Sequence, residues 1–239
     1  MASDDHGASH PSGSGNPLLD GAGPDELPAA LRLQILTTEH WSLLSTRALT
    51  WNEAFSRSTM FLSAVSGAVV ALALVAGATS FDSGFITFAL VLLPMVLFAG
   101  IATFWRLVEI NHEDVGWVIG MNRLRHAYLE AAPGLRPYFV SGSTDDEAGI
   151  MRTFGAKPGP GSFVHEFVTT PGLIMVVNGV LAGALAAVVG LRLEASAESI
   201  LVLVAVVGVV TIGLLASLQY RHVVRPRGQE SRFPGGDGT

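Results

Sequence analysis

The chain has 239 residues, 49% hydrophobic and 14% charged, with a formal net charge of −6 and no cysteine. Soluble domains carry about 25% charged residues, so this composition does not fit an ordinary soluble globule, and an acidic chain is not expected to bind nucleic acid. The absence of cysteine excludes disulfides, thiolate metal sites and a cysteine nucleophile.

Met1–Leu27 is polar, acidic and rich in Gly, Ser and Pro. It lacks the basic start and apolar core of a secretory signal, and reads as a disordered tail. Residues 28–57 follow without an internal Gly or Pro after Pro28, with Asp25 as a plausible N-cap. At helical spacing, Leu33, Leu36, Leu44, Ala48, Trp51 and Phe55 share one face, while Arg32, Glu39, Ser42, Thr46, Glu53 and Arg57 share the other. This amphipathic arm continues unbroken into Ser58–Thr79, the first of four stretches without Asp, Glu, Lys or Arg.

The other uncharged stretches are Phe85–Trp105, Gly172–Leu191 and Ser199–Gln219. Each is about 20 residues long, enough for a helix to cross a hydrocarbon core of about 30 Å. The fold class expected is therefore all-α: a polytopic membrane protein with four transmembrane helices arranged as two hairpins. Pro94 sits inside the second span, where a kink is tolerated. The helix then continues as a second arm, 106–131, with Leu107, Ile110, Trp117, Met121, Leu124 and Tyr128 on one face, and stops at Pro133–Gly134. The link Ser80–Gly84 is short, so the two arms are expected to bury their stripes against each other as one long hairpin over 28–134.

Residues 135–170 form a connector. Within it, "SGSTDDEAGIMRTFG" (141–155) has the pattern of a short helix capped by Ser143 or Thr144, and "AKPGPG" (156–161) is a turn-rich linker. Residues 171–220 make the second hairpin, and 221–239 a basic tail. Basic residues set the topology. Three precede the first span, six lie between the second and third, and four follow the fourth, whereas the two short links hold only Arg192. The positive-inside rule then places both termini and the central segment in the cytoplasm. An arginine-rich, lysine-poor chain suggests GC-rich bacterial coding, so the expected location is a bacterial inner membrane. Trp105, Arg106 and Tyr220 fit interface anchors.

Candidate chemistry is sparse. Glu109-x-x-His112 has the spacing of half a di-iron helix site, but that architecture needs a second such motif and two further carboxylates. Glu109, His112 and Glu53 point away from the apolar stripes, so they read as a solvated face, with no metal and no cofactor. "GAKPGPGS" (155–162) lacks the phosphate-loop spacing, because Pro follows Lys157. No ionisable residue lies within a span, which argues against a pump or coupled transporter.

Asp114 falls inside the apolar stripe of the second arm, and Arg47 falls inside or beside that of the first. In a chain turning near residue 82 they lie within about one helical turn of opposition, so Arg47 and Asp114 are the candidate structural or switch pair. Gly179 and Gly183 form a literal GxxxG, and Gly67 belongs to a row with Ser63 and Ala71; both are candidates for close helix packing. Asn178 is the amide placed well inside a span, and is expected to clasp a neighbouring helix.

The function expected is therefore that of an integral membrane protein without enzymatic activity, a scaffold acting through its cytoplasmic arms on a protein partner or on another copy of itself. A homo-oligomeric, hydrophobically gated channel is the alternative, and a membrane-bound metalloenzyme the remote one.

Overall fold

The computed structural model describes residues 27–155, 170–224 and 231–235. The N-terminal tail up to residue 26, the linker 156–161 with the approach to the third span, and the basic residues Arg225 and Arg227 lie outside them. Five α-helices follow one another: α1 (Ala29–Thr79), α2 (Ser83–Ala131), α3 (Glu147–Phe154), α4 (Thr170–Arg192) and α5 (Ala197–Val224). A 3-10 turn, Pro133–Tyr138, follows α2, and no strand occurs among the described residues. The chain divides into two compact units, residues 1–41 and 42–239. In the described part of the first unit, Leu33, Ile35 and Trp41 are exposed. The rest of α1 and all the later elements belong to the second unit.

Four helices, α1, α2, α4 and α5, are long and apolar enough to cross a membrane. In such segments a hydroxyl needs an acceptor, and the helix's own carbonyls supply it. Ser58, Ser66 and Thr79 in α1, Thr87 and Thr103 in α2 and Thr211 in α5 each donate to the carbonyl four residues earlier.

The turn between α1 and α2 is three residues. Ser80 and Phe81 take positive φ values of 51° and 63°, which non-glycine residues adopt only at a cost. Asp82 then caps α2 by accepting from the N–H groups of Gly84 and Phe85 at 2.8 and 3.3 Å. α2 runs through Pro94 and ends at Ala131, before Pro133.

The covered face of α1 matches the expected stripe only in part, at Leu36 and Trp51. Leu44, Ala48 and Phe55 are exposed, whereas Ala54, Ser58, Phe61 and Ala68 are buried and Leu43, Arg47 and Trp51 are half-buried. The arm carries apolar residues on two adjoining faces, so periodicity alone does not choose between them. Polar pairing chooses: Asp114 of α2 draws Arg47 and Trp51 inward, and the small Ala54 and Ser58 share the side that they define. On α2 the buried line Leu107, Ile110, Asp114, Val118 and Met121 follows the expected face closely.

α4 packs against both α2 and α5. Its contact with α5 uses glycine. A Cβ on Gly179 would collide with Ile212, and one on Gly183 would sit 3.2 Å from Val204. The GxxxG row is thus occupied within the chain. Gly67 differs: it is exposed, and a Cβ there would meet nothing within 4 Å. α5 exposes Leu201, Val202, Val206, Val209 and Leu214.

Candidate functional site

Beyond the uncharged spans, polar side chains gather at three levels. The first is Arg106. Its Nε and Nη2 each donate to the Glu53 carboxylate at 3.0 Å, and its Nη1 donates to Glu113 at 2.9 Å and Glu109 at 3.3 Å. Arg57 adds a further bond to Glu53 at 2.8 Å. Hydrogen bonds from Arg106 first, and from Arg57, hold the Glu53 carboxyl at about 2. Arg106, expected as an interface anchor, thus also joins Glu53 to Glu109 and Glu113. The long, forked arginine side chain reaches from the flank of one helix to the flank of the next, so carboxylates outside the apolar stripes still converge. Glu109 is further engaged by the Trp105 indole N–H at 3.0 Å, and His112 is half-buried. Among the described residues no three His, Asp or Glu side chains are grouped to hold a metal ion.

The second level is Asp114, whose side chain is 3% exposed. Arg47 Nε donates to Oδ1 at 2.6 Å and Nη2 to Oδ2 at 3.1 Å, a two-pronged charged pair. Trp51, placed by its periodicity on the apolar stripe, adds a donor from Nε1 to Oδ1 at 3.2 Å. The Arg47 guanidinium also lies over the Phe154 ring, 6.0 Å from its centroid. Arg125 stands near. Burial first, and the neighbouring Arg47 charge second, pull its guanidinium below the usual arginine range.

The third level is a platform built on Asn122, which is completely buried. Its Nδ2 donates to the Thr144 carbonyl at 2.9 Å, and its Oδ1 accepts from Arg125 at 2.8 Å and from the Thr153 hydroxyl at 2.9 Å. The loop it holds approaches α3 closely: a Cβ on Gly142 would strike the Gly149 backbone, and one on Gly149 would strike Thr144. The cap of α3 is Asp146, not Ser143 or Thr144. Its Oδ1 accepts from Gly149 N–H at 2.9 Å and from the Thr144 hydroxyl at 2.7 Å, so Thr144 orients the cap instead of forming it. α3 ends at Gly155 with φ 65°, the left-handed stop that glycine favours.

On this platform lies the described end of the chain. The Asp145 side chain has no exposed surface. It accepts from Arg123 Nε at 2.8 Å, the Ser231 hydroxyl at 2.6 Å, Arg232 N–H at 2.9 Å and Phe233 N–H at 2.8 Å. Burial alone would raise its pKa. The Ser231 hydroxyl, the two backbone N–H groups and Arg123 outweigh that and hold it below the usual carboxylate range. Asp146 Oδ2 accepts from Gly235 N–H at 2.8 Å, and the Phe233 ring stacks on His126 at 4.5 Å. Ser231–Gly235 is therefore held against the α2–α3 corner, where the sequence suggested only a basic tail. The signals for this in the sequence are slight: two acids after Ser-Thr, glycines at 142 and 149, and an isolated Phe-Pro beyond the last span.

Within the spans, Asn178 of α4 is completely buried, but it does not clasp a neighbour. Its Nδ2 donates to Ile174 of its own helix at 2.9 Å, and its Oδ1 accepts no hydrogen bond. A Cβ on Gly100 of α2 would fall on that oxygen and on Phe61 of α1, so the glycine Cα–H points at Oδ1 instead. The reason is room: Gly100 admits the amide but offers no N–H or O–H donor. No protein-family model, no curated protein and no solved structure matches this chain.

Proposed function

We propose that this is a multi-pass protein of a bacterial inner membrane that acts by association and not by catalysis. Both termini and residues 106–170 lie on the cytoplasmic side in this reading, as the basic residues direct. The long α1–α2 hairpin presents the outward face of α1 to a second copy of the chain or to a cytoplasmic protein. The pairs Leu43–Gly120, Arg47–Asp114, Glu53–Arg106 and Phe61–Gly100 support the hairpin, because numbers rise along α1 as they fall along α2.

One observation carries the association. Leu44, Leu49 and Phe55 are 40, 69 and 56% exposed, on the part of α1 that precedes Arg57 and the uncharged span. Apolar side chains facing lipid need no explanation, but exposed ones outside the lipid, with Leu44, Ala48 and Phe55 on one face of α1, mark a surface that another protein covers. The test is the particle mass of the full chain in lipid nanodiscs. Wild type should contain more than one copy or hold a stoichiometric partner, and Leu44→Glu with Phe55→Glu should reduce it to a single chain. A wild type that is a lone chain, unchanged by the substitutions, removes the reading. Single-channel conductance in planar bilayers would move the protein to the pore-forming alternative.

A further inference from the structure

We propose that the loop Thr144–Asp146, together with Arg123 and His126 of α2, is a peptide-binding site, and that Ser231–Gly235 is its releasable resident. The ligand class is an extended segment with a small hydroxyl residue and, two positions later, an aromatic ring. The site does not depend on the apolar face of α1.

Backbone accounting is the first argument. Of residues 232–235, Pro234 has no N–H, and the other three N–H groups all reach the two adjacent carboxylates, at 2.9, 2.8 and 2.8 Å. One strand-like contact returns the other way, from Asp145 N–H to the Phe233 carbonyl at 3.4 Å. Bonds to main chain hold a segment in register with little regard for its sequence, and side chains then select. Here the selecting groups are the Ser231 hydroxyl on Asp145 Oδ1 and the Phe233 ring on His126.

The second argument is that the receiving side is assembled from other residues. Asn122 fixes the Thr144 carbonyl, Arg123 fixes the Asp145 carboxylate, and Asp146 is committed to the first turn of α3. None of these bonds involves the terminal segment, so the site keeps its shape when the segment leaves. The third argument is exposure. Within the segment only Phe233 is half-buried, and Ser231, Arg232, Pro234 and Gly235 are exposed. Once uncovered, Asp145 regains water, so each bond contributes only its modest net worth. A resident held in this way exchanges with a competitor. Because it follows α5 closely, its occupancy ties the end of the last membrane helix to the α2–α3 corner.

The experiment titrates the full chain in nanodiscs with a fluorescent peptide of residues 231–239. The receptor carries Ser231→Ala and Phe233→Ala, which release the resident and leave the site intact. This receptor should bind the peptide saturably, and the unsubstituted chain should bind it at least about tenfold more weakly because its site is filled. A peptide with alanine at Phe233 should lose at least about tenfold in affinity. One phosphorylated at Ser231 should lose as much, since its charge faces the Asp145 carboxylate. Absence of saturable binding to the released chain would overturn the proposal. So would equal binding of the native and Phe233→Ala peptides, or equal binding to the released and unsubstituted chains. Asp145→Ala in the receptor should abolish binding, and if that variant does not fold the peptide variants still decide.

Discussion

Arg47 and Asp114, 67 residues apart in sequence, meet through two guanidinium N–H donors at 2.6 and 3.1 Å, with the carboxylate almost wholly buried and the arginine about a quarter exposed. Removing one member of a buried charged pair typically costs about 3–5 kcal/mol, because the other is left without compensation. Asp114→Ala should therefore lower the unfolding free energy clearly, and Arg47→Leu added to it should restore part of the loss. Trp51 keeps the pair from being closed, so Trp51→Phe should cost about 1 kcal/mol on its own. A double-mutant cycle on the full chain in detergent measures the coupling, and additive effects would show that the pair contributes nothing as a pair.

Glycines should divide sharply by position. Gly100→Ala places a methyl group on Asn178 Oδ1 and the Phe61 ring, both buried and unable to swing clear. Overpacking of this kind costs about 1–3 kcal/mol, and Gly179→Val should cost at least as much against Ile212. Gly67→Ala meets open space within the chain and should be neutral or slightly stabilising. Thermal unfolding in one detergent compares all three. A clear loss at Gly67 would mean that another copy of the chain packs there.

Acid should loosen the charged levels. The Asp145 carboxyl is held below its ordinary range and that of Glu53 at about 2. Depressed carboxyls contribute stability that is fully present above their unfolded values, about 4, and lost as pH falls toward the folded ones. The thermal midpoint should thus be flat from neutral pH to about 5 and fall below about 4. Asp145→Asn and Glu53→Gln should each flatten that fall, Glu53→Gln less, since its carboxylate is about one-third exposed and screened. A midpoint that rises on acidification would contradict both assignments.

Topology has a clean test because the native chain has no cysteine. Ser83 and Ser196 are exposed at the short turns, and Ser143 lies in the platform loop. Cysteines at the first two should react with an impermeant reagent outside intact cells, and one at Ser143 only after permeabilisation. Labelling at Ser143 in sealed cells would invert the orientation.

The sequence shows plainly four helices long and apolar enough to cross a membrane, because excluding charge from about 20 consecutive residues leaves few other structures. Arg47 and Asp114 stand out for the same reason: each interrupts an apolar stripe, and a charge in such a place needs a partner. Finer orientation was not legible. Leu44 and Phe55 are as apolar as Leu43 and Ala54, so a one-residue rotation of the buried face leaves the pattern almost unchanged. Arg106 was hidden by its length, since a side chain that crosses between helices obeys no helical period. The Asp145 site was hidden by distance, with partners about ninety residues apart joined through main-chain N–H groups that nearly every residue possesses.

The network of Arg57, Glu53, Arg106, Glu109 and Glu113 lies just where the uncharged stretches of α1 and α2 end. A guanidinium tied to a carboxylate on the neighbouring helix cannot sink into hydrocarbon without dragging its partner along. In a bilayer the two helices would therefore share one waterline. In a thinner bilayer they would answer by leaning over together, because sliding one past the other would break every bond in the collar.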